Sequence, residues 1–406
     1  MTDTYFRKGF GLKAEVQGTL DADYAAHLVD FLRANDYTLA SGGVTVRLAR
    51  EFGFCYGVER AVEYAYQARS KFPDRRIVLV GEIIHNPHVN AKLRAMGVEI
   101  LLPGERGFDY SVLAPLDVAI IPAFGVTIGD FQTLRELGCV VVDTTCGSVL
   151  NVWKRVESYA RDGFTALIHG KHYHEETRAT ASQVLKHAEG HYIVVRDMAE
   201  ARIVIDYIEG RIGAAPLLAR FAPHAVSPGF DPDRHLARIG AANQTTMLAS
   251  ESLAIAAAVG DAIERARGAE SRAASFRSFD TICSATQDRQ DAVEALLAEP
   301  LDVMLVVGGY NSSNTISLAA MCAERVATYH IEDAGCIDPA RGTIRHKANG
   351  QNCEVEVADW LPAAEQLRIG LTAGASTPNN KVGDTVARVF ATCGIDPRSS
   401  LGNLAG

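Results

Sequence analysis

Three cysteines far apart in the chain each follow an apolar, strand-like stretch and precede a helix-like one. They are Cys55 in Gly53-Phe-Cys-Tyr-Gly57, Cys146 in Asp143-Thr-Thr-Cys-Gly147 and Cys283 in Thr281-Ile-Cys-Ser284. Zinc sites and simple ferredoxins draw their thiolates from close pairs or runs. Three thiols from three distant segments therefore indicate one central site that three separate lobes build.

Strand and helix patterns alternate along almost the whole chain, which is typical of α/β layers with parallel sheets. Short apolar runs at residues 77–80, 118–121 and 303–307 predict buried strands. Polar clusters follow many of these runs, and parallel sheets bind ligands at the carboxyl ends of their strands. We therefore expect an α/β fold of three similar lobes with parallel sheets, which direct these edges toward a common centre.

The length of 406 residues is enough for two to four domains. The predicted division is an N-terminal extension (1–43), a first lobe with Cys55 (44–138), a second with Cys146 (139–278), a third with Cys283 (279–393) and a C-terminal tail (394–406). The extension has a helical pattern near residues 22–34 and a Gly-Gly turn. Residues 227–233 are rich in turn formers and predict a surface loop.

Composition and charge exclude several classes of protein. The chain is 48% hydrophobic and 22% charged, as in globular proteins, and its net charge of −9 without a long basic run argues against nucleic acid as the main partner. No apolar run approaches the ~20 residues that span a membrane, and the N-terminus lacks an apolar signal region. We expect a cytoplasmic protein whose eight cysteines are thiols or metal ligands, because disulfides are rare in the cytosol.

The three thiols have two interpretations. A free cysteine is often a small buried hydrophobe, whereas a helix N-terminus favours the thiolate that binds metal. Three cysteines at matching turns favour ligation, and three thiolates on an iron–sulfur cubane leave one iron open to substrate. The remaining cysteines lack this context and are predicted to be structural: Cys139, Cys322, Cys336, Cys353 and Cys393.

Other polar clusters suit an anion and a proton donor. Asn311-Ser-Ser-Asn314 and Thr372-Ala-Gly-Ala-Ser376 start helix-like stretches, where backbone N–H groups bind phosphate, although helix capping alone could explain them. His85 and His174 follow strands and suit phosphate, with His172 less certain and an ordinary structural role the alternative. Glu175 and Glu176 could stabilise a helix start or donate a proton, and Thr245 or Thr246 could relay it.

Together these motifs resemble the 4-hydroxy-3-methylbut-2-enyl diphosphate reductase family, over about residues 45–390. The matching segments occur in family order: Gly53–Val62, Glu82–Pro87, Val142–Cys146, His174–Thr180, Asn243–Thr246, Ile282–Gln290, Asn311–Asn314 and Thr372–Ser376. Arg7-Lys-Gly-Phe-Gly11 and the 227–233 insertion are similar to the longer, photosynthetic-type branch of that family.

The resemblance implies three α/β lobes in a pseudo-threefold arrangement around a central iron–sulfur cluster. This would be a [4Fe–4S] cluster with three cysteine ligands, Cys55, Cys146 and Cys283, and one open iron. It implies reductive removal of the C4 hydroxyl of the substrate to give isopentenyl and dimethylallyl diphosphate, with ferredoxin or a flavodoxin-type protein as electron donor. The implied substrate-binding residues are His85, His174, Thr245, Ser312, Ser313, Asn314 and Ser376, and the implied catalytic residues are Glu176 and Thr245.

Two positions depart from the family pattern. Phe124 stands where the short bacterial branch has a His, and a Phe cannot donate a hydrogen bond to phosphate. Gly147 follows Cys146 where the family usually has Pro, and glycine loosens the backbone. Two other functions remain open: another three-cysteine [4Fe–4S] dehydratase or lyase, and a non-catalytic iron–sulfur or zinc sensor.

Overall fold

A computed structural model of the chain describes residues 4–105, 107–279, 281–348, 350–351 and 353–396. The strands are β1 (Tyr5–Phe6), β2 (Thr38–Ser41), β3 (Val44–Leu48), β4 (Ile77–Val80), β5 (Val98–Leu101), β6 (Val118–Ile121), β7 (Val140–Asp143), β8 (Thr165–His169), β9 (Tyr192–Val195), β10 (Ile239–Asn243), β11 (Phe276–Ser278), β12 (Val303–Val307), β13 (Thr328–Ile331), β14 (Ile337–Asp338), β15 (Thr343–His346), β16 (Val355–Ala358) and β17 (Leu367–Ala373).

The α-helices are α1 (Lys13–Tyr24), α2 (His27–Ala34), α3 (Tyr56–Lys71), α4 (Pro87–Ala95), α5 (Ile128–Glu136), α6 (Gly147–Arg161), α7 (Glu175–Val184), α8 (Met198–Ile208), α9 (Ala214–Phe221), α10 (Pro232–His235), α11 (Ala249–Arg267), α12 (Ala269–Ser275), α13 (Ser284–Leu297), α14 (Ser313–Ala323) and α15 (Asn379–Thr392). Among the described helices, none is long and apolar enough to cross a membrane.

Three sheets of mainly parallel strands confirm the α/β fold class. The first sheet has the order β1-β7-β6-β4-β5 and the second β11-β10-β8-β9, and both are parallel throughout. The third has the order β13-β12-β17-β3-β2 and is parallel except for the β2–β3 hairpin. Every residue of β4, β6, β8 and β12 is buried, which explains their continuous apolar sequences.

The described chain forms two compact units. The first comprises the described parts of Met1–Phe10, Lys71–Ile83 and Leu93–Cys283, and it contains the first and second sheets. The second comprises the described parts of Gly11–Ser70, Ile84–Lys92 and Ser284–Gly406, and it contains the third sheet and a small antiparallel sheet, β14-β15-β16. The predicted pseudo-threefold arrangement stays a prediction.

Each thiol follows a strand of a different sheet. Cys146 follows β7 of the first sheet, Cys283 follows β11 of the second and Cys55 follows β3 of the third. The strand β3 pairs with β17, from Val44 opposite Leu367 to Leu48 opposite Leu371. Because parallel pairing joins distant segments, sequence order does not reveal it. The lobe boundaries at 44, 139 and 279 stay predictions.

Two local expectations need correction. The helical pattern near residues 22–34 is two helices, because Ala25 and Ala26 are extended (ψ 160° and 115°) and interrupt the helical path after the buried Tyr24. The 227–233 segment is less exposed than a surface loop, since Ser227 is 2% exposed and Phe230 packs into the core of the second sheet. The Gly-Gly turn is confirmed, with positive φ at Gly42 and Gly43 between β2 and β3.

Candidate active site

The three candidate thiols share one local geometry. Cys55 directly precedes α3, Cys146 is the N-cap residue of α6 and Cys283 directly precedes α13. None of the three is in a disulfide, and all three are of intermediate exposure. A helix N-terminus stabilises a thiolate, and a partly exposed sulfur can reach a ligand, so the donor set suits an iron–sulfur cluster.

Buried cysteines in the same chain provide a contrast. Cys139 is 1% exposed in the first unit and Cys322 is fully buried in α14 of the second. Burial raises the pKa of the Cys139 thiol and raises that of Cys322 to about 12. A thiol with a raised pKa is a poor metal ligand, so the structural role predicted for these two cysteines agrees with their surroundings.

In the first unit, Asp143 fixes the turn that carries Cys146. One carboxylate oxygen, Oδ1, accepts hydrogen bonds from the Thr145 backbone N–H (3.0 Å) and hydroxyl (2.5 Å). The other, Oδ2, accepts one from the Tyr5 hydroxyl at 2.7 Å. The Cys146 N–H then donates to the Ala123 carbonyl at 3.0 Å. The cysteine turn is therefore held by β1, β7 and the segment that follows β6.

Glu176 is a buried carboxylate in the first turn of α7. It is 1% exposed, and its Oε1 accepts a hydrogen bond from the Thr245 backbone N–H at 2.6 Å. The Thr245 carbonyl in turn accepts the Cys283 N–H at 3.4 Å. One peptide segment thus connects the candidate proton donor to a candidate cluster ligand within the first unit. The contact uses the backbone of Thr245, so the relay through its hydroxyl stays a prediction.

His174 is the N-cap residue of α7. Its Nδ1 accepts the Glu176 backbone N–H at 3.1 Å, which places the ring proton of a neutral imidazole on Nε2. Phe124 contacts the His174 ring edge to face, with centroids 5.4 Å apart. The phenyl ring of Phe124 therefore contributes packing to His174. His172 differs from His174, because it is exposed and its ring stacks at 6.3 Å on His224.

In the second unit, a polar group forms where β12 and β17 end. Ser376 Oγ lies 3.2 Å from the His85 carbonyl oxygen, to which it donates, and 3.5 Å from Ser312 Oγ. Ser312 is the N-cap residue of α14, and Asn311 Nδ2 lies 3.5 Å from His85 Nδ1. Gly309 allows this approach, because a Cβ there would lie 2.6 Å from the His85 carbonyl oxygen.

The α14 start also contains Ser313 and Asn314, which are 4% and 2% exposed. Asn314 Oδ1 accepts the Ala375 N–H at 2.8 Å and so links α14 to the turn after β17. Within the described part of the chain, the buried Nδ2 of Asn314 has no hydrogen-bond partner. An unsatisfied buried donor is costly, so an anion at this helix N-terminus would stabilise the group.

Three residues that hold the cysteine turns have no role in the predictions made from the sequence. Tyr5 and Asp143 brace the Cys146 turn, and Arg289 contacts the turn before Cys55. Asp143 lies in the Asp-Thr-Thr-Cys motif and Arg289 in the motif after Cys283, so their closeness to the cysteines in sequence could have indicated a role for both. The contact of Tyr5 depends on a parallel strand pairing more than 130 residues distant in sequence, which no local pattern reveals.

Comparison with known proteins assigns the family. The family model described as "LytB protein" matches residues 46–390. The chain belongs to the LytB protein family. This LytB protein is 46% identical to a 4-hydroxy-3-methylbut-2-enyl diphosphate reductase of Gloeobacter violaceus, over 99% of this chain and 95% of the relative. It is also 46% identical to one of Thermosynechococcus vestitus, over 96% and 95%.

Solved structures are similar to this LytB protein as well. One is of (E)-4-hydroxy-3-methyl-but-2-enyl diphosphate reductase, described as the terminal enzyme of the non-mevalonate pathway; it has a TM-score of 0.51 and 26% identity, over 85% of this chain and 98% of that one. A reductase structure from Plasmodium falciparum has a TM-score of 0.61 and 19% identity, over 85% and 87%. The second similarity supports the fold alone.

Proposed function

We propose that the chain is a 4-hydroxy-3-methylbut-2-enyl diphosphate reductase, an oxidoreductase of the non-mevalonate isoprenoid pathway. It removes the C4 hydroxyl of its substrate as water, with two electrons and two protons, to give isopentenyl and dimethylallyl diphosphate. The observation that carries this proposal is the connection of the buried Glu176 through Thr245 to the Cys283 turn. A proton donor beside a ligand turn is expected of an enzyme and not of a sensor.

The cofactor is proposed to be a [4Fe–4S] cluster held by Cys55, Cys146 and Cys283. When bound, it supplies electrons and an open iron that acts as a Lewis acid toward the substrate hydroxyl. The support is the shared position of the three thiols at helix starts, together with their partial exposure. Zinc ligation remains the alternative for the same thiols, and metal analysis separates the two.

The diphosphate is proposed to bind to side chains that start helices. The binding residues are His85, His174, Thr245, Ser312, Ser313, Asn314 and Ser376. The unsatisfied Asn314 Nδ2 and the N-terminus of α14 support an anion site in the second unit. In the first unit His174 can donate from Nε2, since its Nδ1 is already an acceptor.

Protonation is proposed to depend on Glu176. The Thr245 N–H holds one carboxylate oxygen at 2.6 Å, and burial keeps bulk water away from the group. Glu176 in its protonated form can therefore give its proton along a fixed direction. Thr245 is proposed to relay that proton through its hydroxyl. A ferredoxin or flavodoxin-type protein is the proposed electron donor, and the cytoplasm the proposed compartment.

Turnover under anaerobic conditions tests this function. The purified protein, a chemically reduced dye and 4-hydroxy-3-methylbut-2-enyl diphosphate are expected to give both isoprenoid diphosphates and oxidised dye. A dehydratase or lyase would remove water from the substrate without oxidising the dye. A sensor would give no product, even with a complete cluster. Either of these outcomes would contradict the reductase assignment.

A further inference from the structure

Arg289 is a buried cation in the middle of α13, the helix that begins directly after Cys283. It is 3% exposed. Its Nη1 donates to the Ala285 carbonyl one turn earlier at 2.7 Å. The rest of its guanidinium group is directed at the segment before Cys55, and all of these contacts lie within the second unit.

The guanidinium binds two successive carbonyls of that segment. Nε and Nη2 both donate to the Gly53 carbonyl, at 3.2 and 2.7 Å, and Nη2 also donates to the Phe54 carbonyl at 3.1 Å. The Phe54 carbonyl belongs to the peptide that joins Phe54 to Cys55. Arg289 therefore holds the backbone that immediately precedes a proposed cluster ligand.

The segment itself has a restricted conformation. Gly53 has a φ of +69°, and a Cβ there would lie 3.0 Å from the Thr377 carbonyl oxygen, so glycine is required on both counts. The N–H groups of Gly53 and Cys55 donate to the carbonyls of Ala373 and Ala375, at 3.1 and 3.2 Å. Arg289 closes the other side of this turn by binding its carbonyls.

The charge of Arg289 has no anionic partner among the described residues. Its hydrogen-bond acceptors are three neutral carbonyls, those of Gly53, Phe54 and Ala285. A buried cation without an anion is costly in free energy. A thiolate-bound cluster carries negative charge and gains more with each added electron, so it would offset this charge.

We propose that Arg289 is a positioning residue for the iron–sulfur centre: it fixes the Cys55 turn and places one positive charge beside it, which favours the reduced state. This inference rests on the proposed cluster. Arg289 belongs to the Ile282–Gln290 motif, and neither the proposed diphosphate site nor the proposed proton donor uses it. The hydrogen bonds of Arg289 to the Gly53 and Phe54 carbonyls, here called the clamp, predict an ordered Cys55 turn. The positive charge of Arg289 predicts a higher reduction potential of the cluster than without it.

Two variants separate the clamp from the charge. Arg289→Lys keeps the charge but cannot bind both carbonyls with a planar fork, whereas Arg289→Met removes both contributions. Arg325→Met is the control, because Arg325 is exposed and, within the described part of the chain, its ion pair is with Glu294, at 3.6 Å. The measurements on anaerobic, cluster-loaded protein are the reduction potential and the deuterium exchange of the peptide that contains Gly53 and Cys55.

The expected results differ for each variant. In Arg289→Met the potential becomes more negative and exchange of the Gly53–Cys55 peptide is about tenfold faster or more. In Arg289→Lys the exchange is faster while the potential stays close to that of the wild type. The control changes neither quantity.

Unchanged exchange in Arg289→Lys overturns the clamp, even if Arg289→Met does not fold. A potential that falls equally in both variants overturns the role of charge. A wild-type protein that binds no iron would instead refute the proposed function. The first two outcomes concern Arg289 alone, whereas the third concerns the proposed function.

Discussion

Glu176 has tightly defined surroundings, since it is 1% exposed and one of its oxygens lies 2.6 Å from the Thr245 N–H. Glu176→Gln keeps the side-chain volume and an oxygen for that N–H, but the amide cannot supply the proton. We expect turnover to fall by roughly 10²–10⁴, with cluster absorbance and diphosphate binding retained. Steady-state kinetics with a reduced dye measure this.

The neighbouring Glu175 provides the control for this change. Its side chain is 39% exposed, and Glu175→Gln removes the same charge from the same helix turn. Near wild-type turnover is expected for Glu175→Gln. If Glu176→Gln also turns over at the wild-type rate, then Glu176 is not the proton donor.

Gly147 is the first residue of α6, at a position where the family resemblance implies Pro. A Cβ at this position meets open space, and Cys146 before it has an extended ψ of 143°, which a following proline requires. Proline is favoured at the first helical position and restricts the unfolded chain. Gly147→Pro should raise the free energy of unfolding by about 0.5–1 kcal/mol, measured by denaturant titration.

Gly147→Ala is the matched control, because it adds a side chain without fixing φ. We expect a smaller gain in stability from alanine than from proline. A loss of stability in Gly147→Pro alone would show that the Gly147 N–H is used in the folded protein. A use of that N–H in the folded protein would explain why glycine, and not proline, stands at position 147.

At the scale of single residues, motif positions were predictable and the exact contacts were not. The sequence placed the three thiols before helices because strand, turn and helix patterns are local. It indicated the Thr245 hydroxyl as the partner of Glu176, whereas the contact seen uses the backbone N–H. The role of Arg289 was not predictable, because the carbonyls of Gly53 and Phe54 that it binds lie more than 230 residues away in sequence.

At the scale of elements, the short strand β1 extends the edge of the first sheet and braces the Cys146 turn. Its Tyr5 hydroxyl donates to Asp143, and its ring packs edge to face on Phe131, with centroids 5.6 Å apart. Burial and the hydrogen bond to Asp143 raise the pKa of Tyr5, so the hydroxyl remains a donor. The N-terminal extension thus supports one of the proposed ligand turns.

Tyr5→Phe removes that hydroxyl and keeps the ring contact. We expect the free energy of unfolding to fall by about 1–2 kcal/mol and iron release to a chelator to become faster, since Asp143 loses one partner. Tyr173→Phe is the control, because Tyr173 is 63% exposed. Equal iron release from both variants would show that β1 does not stabilise the Cys146 turn.

Elements with a strong local pattern were predictable, and elements that depend on distant pairing were not. The strands β4, β6, β8 and β12 are continuous apolar runs, so the sequence located them. The antiparallel sheet of β14, β15 and β16 was missed, because its strands are short and two of them are partly exposed. The strand β3 was located, whereas its pairing with β17 joins segments more than 300 residues apart, which no local pattern reveals.

At the scale of the molecule, each unit contains a buried neutral histidine. Burial lowers the pKa of His169 in the first unit and of His330 in the second, each to about 4. An unfolded histidine has a pKa near 6.5. Below that pH the unfolded chain binds protons that the folded chain does not, so stability is complete above about pH 6.5 and is lost as the pH falls toward 4.

Denaturant titrations between pH 7.5 and 5 test this dependence. Each histidine should lower the free energy of unfolding by about 2 kcal/mol between pH 7.5 and 5. His330→Gln should reduce the slope against pH, whereas His27→Gln, at an exposed position, should leave it unchanged. A slope that is equal in wild type and His330→Gln would show that another group is responsible.

Cys55, Cys146 and Cys283 are proposed to hold a [4Fe–4S] cluster with one iron open to substrate. Mössbauer spectroscopy of iron-57-labelled, oxygen-free protein, with and without 4-hydroxy-3-methylbut-2-enyl diphosphate, measures the state of each iron. We expect four irons per chain, one of which changes its signal when the diphosphate binds. Zinc in place of iron, or a cluster whose four iron signals are all unaffected by the diphosphate, would contradict it.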